Sequence, residues 1–410
     1  MRIIHVSLFD ISGGAARAAY RLHRGLLKTG VDSQMLVEYK GSDDSTVFAP
    51  VSLLRRAIFK LRQTLDKFPL RPYRGKMKTP FSLSWLPFSG IAGKINALNP
   101  DIVHLHWVCG GMMSVEEISE IKSPIVWSLH DMWAFTGGCH YSADCTGYKK
   151  TCGNCNVLGS DRSNDLSHKV ILRKKKSFDA IKNLTVVGVS KWLAKCAQES
   201  TVFKNNKVIS LPNPLDTKAF FPVDKDVAKK TLGISQEKKV VMFGSLGAPS
   251  DARKGFKQLR EALSKLKRDD IEFAVFGSSE QNEAKDFRFK AHYFGLLRDN
   301  VSLRVVYSAA DVMVVPSLQE AFGQVASEAM SCGTPVVAFG ATGLLDIIDH
   351  QVNGYLAVPF DPVSLADGIN WILNHNNPET LRQNARQKVL DNFDSAVVVQ
   401  KYKVLYEKLQ

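Results

Sequence analysis

"PSLQEAFGQVASEAMSCGTPVVAFGATGLLDII" (residues 316–348) decides the fold. The apolar run "DVMVVPS" (311–317) leads through a short loop into a helical pattern expected to begin near Ala321, and "PVVAFG" (335–340) is a second short apolar run. Strand, helix and strand in this order make a βαβ unit, with strands buried on both faces and a helix lying across them.

Working outward, the same rhythm fills this half of the chain. "KKVVMFGSLG" (238–247) reads as a buried strand, "KGFKQLREALSKL" (254–266) as a helix, and "IEFAVFGSS" (271–279) and "AHYFGLL" (291–297) as further strands. The first half alternates in the same way. Its strands are "RIIHVSLF" (2–9), "DSQMLVEY" (32–39), "DIVHLHW" (101–107), "SPIVWSLH" (123–130) and "LTVVGVS" (184–190), with helices expected over 14–29, 89–97, 114–121 and 165–181. Such alternation implies a parallel sheet covered on both faces. A chain of 410 residues exceeds what one core supports, so two successive α/β domains are expected, hinged at "LPNPLD" (211–216). The boundaries expected are 1–212 and 213–385, with a helical segment over 386–410 packing back toward the first domain.

An apolar fraction of 45% with 23% charged residues is that of an ordinary globular protein. No run of 18 clearly apolar residues suggests a membrane span. "MRIIHVSLFD" reads as an opening strand without a cleavage site, so a reducing, cytoplasmic setting is expected, with thiols rather than disulfides. The net charge of +14 favours anionic partners: nucleic acid, lipid headgroups or phosphorylated substrates.

Two segments interrupt the rhythm. Residues 51–80 carry nine Lys or Arg against one acid, Asp66, while Leu54, Ala57, Ile58 and Leu61 recur at helical spacing. This basic amphipathic insertion either lies on an anionic membrane surface or docks its apolar face on its own domain. The stretch 136–158 holds Cys139, Cys145, Cys152 and Cys155. Its closing C-x-x-C is half of many structural zinc sites, and four thiolates would close a zinc shell, bracing the loop without a position for substrate. Reduced packing thiols or a redox pair are the alternatives; His140 is a poorer ligand beside Cys139.

The chemistry-bearing residues cluster in the second half. Glu320 stands at the mouth of the expected helix and Glu328 eight positions on, read as two carboxylates on one face about two turns apart. Carboxylates suit sugar and ribose hydroxyls, whereas the N–H groups of a helix's first turn suit phosphate. Ala321, Phe322 and Gly323 stand where a diphosphate would touch.

The E-x7-E spacing of "EAFGQVASEAMSCGTPVVA", followed by a Gly-containing loop, Asp346 and "NGYLAVPFDP", closely resembles the donor-binding signature of retaining glycosyltransferases of the GT-B fold, family 4 type. "GGAARAAYRLHRGL" resembles that family's glycine loop and first helix, and "VSKWL" with "LPNPLD" its inter-domain segment. The resemblance implies an α/β GT-B fold: two Rossmann-like domains facing across a cleft, the first on the acceptor side and the second binding a UDP- or GDP-sugar. It implies that Glu320 holds hydroxyls of the transferred sugar, Glu328 the ribose, and Lys254 the diphosphate, with Arg253 as helper. Where the family has a first basic residue this chain has Ser245. His130 matches the active-site histidine, Gly13 and Gly14 the loop that closes on phosphate or acceptor, and Gly295 and Leu296 the packing of the base. His130, Lys254 and Glu320 are thus the expected catalytic set, and no cofactor is required for the chemistry.

"WSLHDMWAFTGGCHYSADCTGYKKTCGNC" (127–155) resembles a version found in bacterial transferases of exopolysaccharide and colanic-acid type. That implies a saccharide or lipid-linked oligosaccharide acceptor at the inner membrane face, a peripheral location and no nucleic acid partner. The ordinary alternatives are an exposed helical Glu328 and a core His130. His104 and His106 are read as facing opposite sides of their strand, with core packing the expected role of both.

Two rival functions are weighed. A dinucleotide oxidoreductase needs a full G-x-G-x-x-G, which "DISGGAARAAY" lacks. A basic zinc protein binding nucleic acid fits the charge and the cysteines, but the basic runs are not interleaved with aromatics.

Overall fold

The computed structural model describes residues 1–73, 75–77, 79–244, 251–277 and 288–410. Ser245, Arg74 and Lys78 lie outside the described residues. The chain forms two compact units, Met1–Asn213 with Val398–Gln410, and Pro214–Val397.

The first unit is a parallel sheet of β1 (Arg2–Phe9), β2 (Asp32–Tyr39), β3 (Val47–Phe48), β4 (Ile102–Leu105), β5 (Ile125–Leu129), β6 (Leu184–Gly188) and β7 (Lys207–Ser210). Their spatial order is β3-β2-β1-β4-β5-β6-β7. Every residue of β4, β5 and β6 is buried, which is why those strands read as continuous apolar runs. Leu22 and Leu26 of the helix Gly14–Lys28 meet Ile3, Ile102, Val126 and Val187 of the sheet, together with Val398, Val399 and Tyr402 of the C-terminal helix Ser395–Glu407.

The second unit repeats the plan. Its strands are β8 (Lys239–Gly244), β9 (Ile271–Phe276), β10 (Lys290–Tyr293), β11 (Val312–Val315), β12 (Val336–Phe339) and β13 (Gly354–Ala357), in the order β10-β9-β8-β11-β12-β13, all parallel. In both sheets the order reverses beside the first strand, between β1 and β4 and between β8 and β11. Open α/β sheets bind ligands outside the carboxyl ends of the strands at such a reversal. The two α/β Rossmann-like units expected from the sequence are present.

The structure corrects two expectations and narrows one that the sequence leaves open. The helix expected near Ala321 spans Gln324–Ser331 with Gly323 as its N-cap, so Glu320 lies on the preceding loop and does not share a helical face with Glu328. His104 and His106 point to the same side, because side chains two apart in a strand share a face; their rings stack at 4.3 Å. In the basic insertion the helix Leu53–Asp66 docks through Phe59 and Asp66, which are buried, and Arg62, which donates to the carbonyls of Gly111, Pro87 and Leu86. Leu54, Ile58 and Leu61 are 69%, 49% and 57% exposed. The apolar stripe is therefore not the docked face.

Candidate active site

The loops after β8 and β11 are bound to each other. Asp251 caps a single turn, Ala252–Lys254, by accepting from the Arg253 amide, and Gly255 follows with φ +69°. A Cβ on Gly255 would fall 1.8 Å from the carbonyl oxygen of Pro316, so only glycine lets the two loops approach this closely. Leu318 N donates to Arg253 O at 2.8 Å, and the Arg253 guanidinium reaches Gln319 O.

This closure sets Lys254 Nζ 2.5 Å from Glu320 Oε1, while Ser317 Oγ donates to the same oxygen at 3.0 Å. Burial pushes the Glu320 carboxyl up, but the Lys254 ammonium, together with Arg253 and the Ser317 hydroxyl, holds it below its ordinary value. The loop after β12 completes the arrangement: Glu320 N donates to Thr342 Oγ1 and Gly343 N donates to Glu320 O. Charged groups from the strand ends on both sides of the β8/β11 reversal thus converge.

The other expected donor residues are distributed around this centre. Ala321 is partly exposed, but the Phe322 ring turns into the core against Phe393 at 5.4 Å, leaving only its backbone for a ligand. Gly323 takes φ +106° at the head of the helix Gln324–Ser331. Glu328 is 4% exposed and accepts from the Tyr307 hydroxyl at 3.0 Å, so it is not an ordinary surface residue. Gly295, at φ +63° with open space around its Cβ position, and the exposed Leu296 follow β10.

In the first unit Gly13, at φ +88°, opens the helix that begins at Gly14, and a Cβ there would also meet nothing. His130 follows β5 and is partly exposed. Its Nε2 is 3.1 Å from His106 Nδ1, and burial brings its pKa down to about 4, so the ring is neutral at pH 7.

The sequence pattern of Glycosyltransferase Family 4 matches residues 12–219, half of the chain, and that of the Glycosyl transferases group 1 matches residues 224–388. The chain belongs to the family 4 glycosyltransferases. It is 31% identical to an uncharacterized glycosyltransferase of Methanocaldococcus jannaschii, MJ1607, over 44% of this chain and 49% of that protein. It is 28% identical to the N-acetyl-alpha-D-glucosaminyl L-malate synthase of Bacillus anthracis over 61% of this chain and 64% of that one. The chain thus matches about half to two thirds of the length of these curated relatives. Among solved structures, Anabaena HepE in complex with UDP and glucose aligns over 100% of both chains with a TM-score of 0.65 at 17% identity. WaaG, a glycosyltransferase involved in lipopolysaccharide biosynthesis, aligns over 98% of this chain and 99% of its own with a TM-score of 0.65 at 15% identity. The fold is GT-B.

In this family 4 chain the cysteine-rich loop follows His130 directly. Cys145 is exposed, and Cys139, Cys152 and Cys155 are partly buried. Gly147 N donates to Cys145 Sγ at 3.4 Å, and burial raises the Cys139 and Cys152 thiols to about 12, with other cysteines of the four adding to each shift. His140 has both ring nitrogens engaged, by Asp131 Oδ2 at 2.6 Å and Ser82 Oγ at 2.8 Å.

Sequence reasoning missed two groups behind His130. Asp131 accepts from His140, from Trp107 Nε1 at 2.9 Å and from Trp133 N at 2.8 Å. Lys174, in the basic run "KVILRKKKSF", is fully buried over the Trp133 ring and donates to Thr136 O at 3.0 Å; burial lowers its pKa to about 7. The helical spacing of Val170, Lys174 and Phe178 is the signal that puts Lys174 on the inner face of the helix Leu166–Asp179.

Proposed function

We propose that the protein is a retaining transferase that moves a sugar from a UDP- or GDP-sugar to a saccharide, lipid-linked at a membrane surface, in bacterial surface polysaccharide biosynthesis. The observation that carries this reading is the Lys254–Glu320 pair at the β8/β11 reversal. A nucleoside diphosphate sugar brings a partner for each member of this pair: anionic phosphate oxygens for Lys254 and hydroxyl donors of the sugar for Glu320. The solved structures of HepE with UDP and with UDP-glucose, on the same fold, support a nucleotide-sugar donor.

In this reading Arg253 and the N-terminus of the helix Gln324–Ser331 join Lys254 at the diphosphate, Glu328 takes the ribose, and Gly295 and Leu296 pack the base. Negative charge grows on the phosphate oxygen as its bond to the anomeric carbon breaks, and Lys254 stabilises it. The acceptor oxygen bonds to the same carbon from the leaving-group side, and its proton passes to the departing phosphate, so no second carboxylate is needed. His130 and Gly14 serve the acceptor-side domain.

The exposed stripe of the helix Leu53–Asp66, flanked by Arg56, Lys60 and Lys67, supports a peripheral location on anionic lipid. Structural zinc on the four cysteines remains part of the reading. Elemental analysis of untagged protein showing no zinc would remove it.

Turnover decides the function. A panel of UDP- and GDP-sugars is incubated with saccharide acceptors, and the anomeric configuration of any product is determined. The reading expects an α-linked product from an α-linked donor, lost in Glu320→Ala and Lys254→Ala. Inversion would overturn the mechanism, and the absence of any turnover would overturn the reading itself.

A further inference from the structure

Five histidines gather in the first unit, and three of them form a single file. His5 on β1, His106 just past β4 and His130 just past β5 lie on neighbouring strands at the β1/β4 reversal. His5 Nδ1 is 3.0 Å from His106 Nε2, and His106 Nδ1 is 3.1 Å from His130 Nε2. The rings are nearly parallel, at 20° and 24°.

A metal centre is the other reading of such a cluster, because one nitrogen each of His5, His104 and His106 lies within 4.8 Å of the others. The hydrogen bonds argue against it. Both nitrogens of His104 are engaged, by the hydroxyls of Tyr406 and Ser128, and both nitrogens of His106 by its two histidine neighbours. His104 and His106 are also stacked, so their in-plane lone pairs do not converge on one point.

We infer that His5 and His106 are positioning residues that fix the tautomer of His130 so that it presents Nδ1–H, a neutral hydrogen-bond donor, to the acceptor substrate. The inference rests on the transferase reading only for what His130 touches. Each neutral imidazole carries one hydrogen, so in a file of three the direction of one bond sets the others. If His5 Nδ1 donates, His106 Nδ1 donates in turn and His130 is left with its hydrogen on Nδ1. If the file runs the other way, His5 carries its hydrogen on Nε2.

That second arrangement is disfavoured by the burial of His5. Its ring is 0% exposed and its Nε2 has no partner among the described residues. A donor hydrogen orphaned in the core is the rarer defect than a bare acceptor. Reversal would also have to deliver a proton to that sealed nitrogen while removing one from His130 Nδ1, so the file is locked in one direction. Burial keeps His5 and His106 neutral as well, which the alternating donor and acceptor pattern requires.

The test is nitrogen NMR of the full-length protein labelled with nitrogen-15, without ligand, which reads the tautomer whether or not any sugar nucleotide is turned over. His130 signals are assigned with His130→Gln. The expected result is a hydrogen-bearing Nδ1 on His130 and a bare Nε2 on His5; a bare His130 Nδ1 overturns the inference. Two variants then separate relay from packing. His5→Asn keeps an N–H donor near the position of Nδ1, whereas His5→Phe keeps the ring volume and removes the donor. The relay expects kcat to fall about tenfold in His5→Phe, the worth of one hydrogen bond, with KM nearly unchanged, and to stay near wild type in His5→Asn. The reverse ranking, or equal activities, would show that His5 acts by packing.

Discussion

Lys254 and Glu320 hold each other in a site with little water, their side chains 19% and 13% exposed. Lys254→Ala leaves a nearly buried carboxylate without its cation, at a cost of roughly 1–3 kcal/mol after allowance for residual screening. The carboxyl is depressed in the folded state, so the pair's contribution is present above the ordinary Glu value and lost as the pH falls through the folded one. Thermal melts should therefore show Lys254→Ala less stable than wild type at pH 7, with the gap narrowing in acid and Glu320→Gln on the Lys254→Ala background recovering part of the loss. A gap that stays constant down to pH 3 would mean the pair does not hold the charge. At this scale the sequence named Lys254 and Glu320, which the structure pairs, whereas the spacing of Glu320 and Glu328 did not mean a shared helical face. It did not show that Gly255 must lack a Cβ, because Pro316, which it meets, lies 61 positions away in the chain.

The elements with continuous apolar strands were legible, since central parallel strands are buried on both faces and β1 and β2 matched their expected bounds. The two edge strands of the first sheet were not. Val47–Phe48 has two residues and Lys207–Ser210 has no fully buried one, so neither carries a pattern. The helix that carries Glu328 starts three residues later than its pattern predicts because Gly323, in the left-handed region, ends the loop and starts the helix. The amphipathic helix Leu53–Asp66 shows what periodicity leaves open: it finds an apolar face but not what covers it. Ile58→Glu with Leu61→Glu should leave the melting temperature close to wild type, because both side chains are largely exposed. The same variant should lose co-sedimentation with vesicles containing anionic lipid. Unchanged vesicle binding would take the membrane role from this helix.

Across the whole molecule, acid should act first on the first unit. His5, His104 and His106 are held well below their ordinary values by burial, and His23 and His130 are brought down to about 4. Asp44 beside His23 and Asp131 beside His130 oppose the shift without cancelling it. In the unfolded chain these rings take up protons below about pH 6.5 while the folded ones stay neutral, so stability falls with pH by up to about 1.4 kcal/mol per unit for each histidine. Melting should drop steeply between pH 6.5 and 4.5, and a flat profile would mean that the folded rings take up protons as readily as those of the unfolded chain. The fold class was readable from the rhythm of the chain, whereas the histidine file needed the strand order that joins β1 to β4 and β5. The β8/β11 reversal, with Lys254 and Glu320, is proposed to bind a nucleoside diphosphate sugar. Calorimetric titration of wild type and Lys254→Ala with UDP, GDP and their sugars measures it most directly. Wild type should bind one nucleotide series saturably, and Lys254→Ala should lose at least about tenfold in affinity, the worth of a charge-assisted phosphate contact. Equal affinity in the two proteins would contradict that proposal.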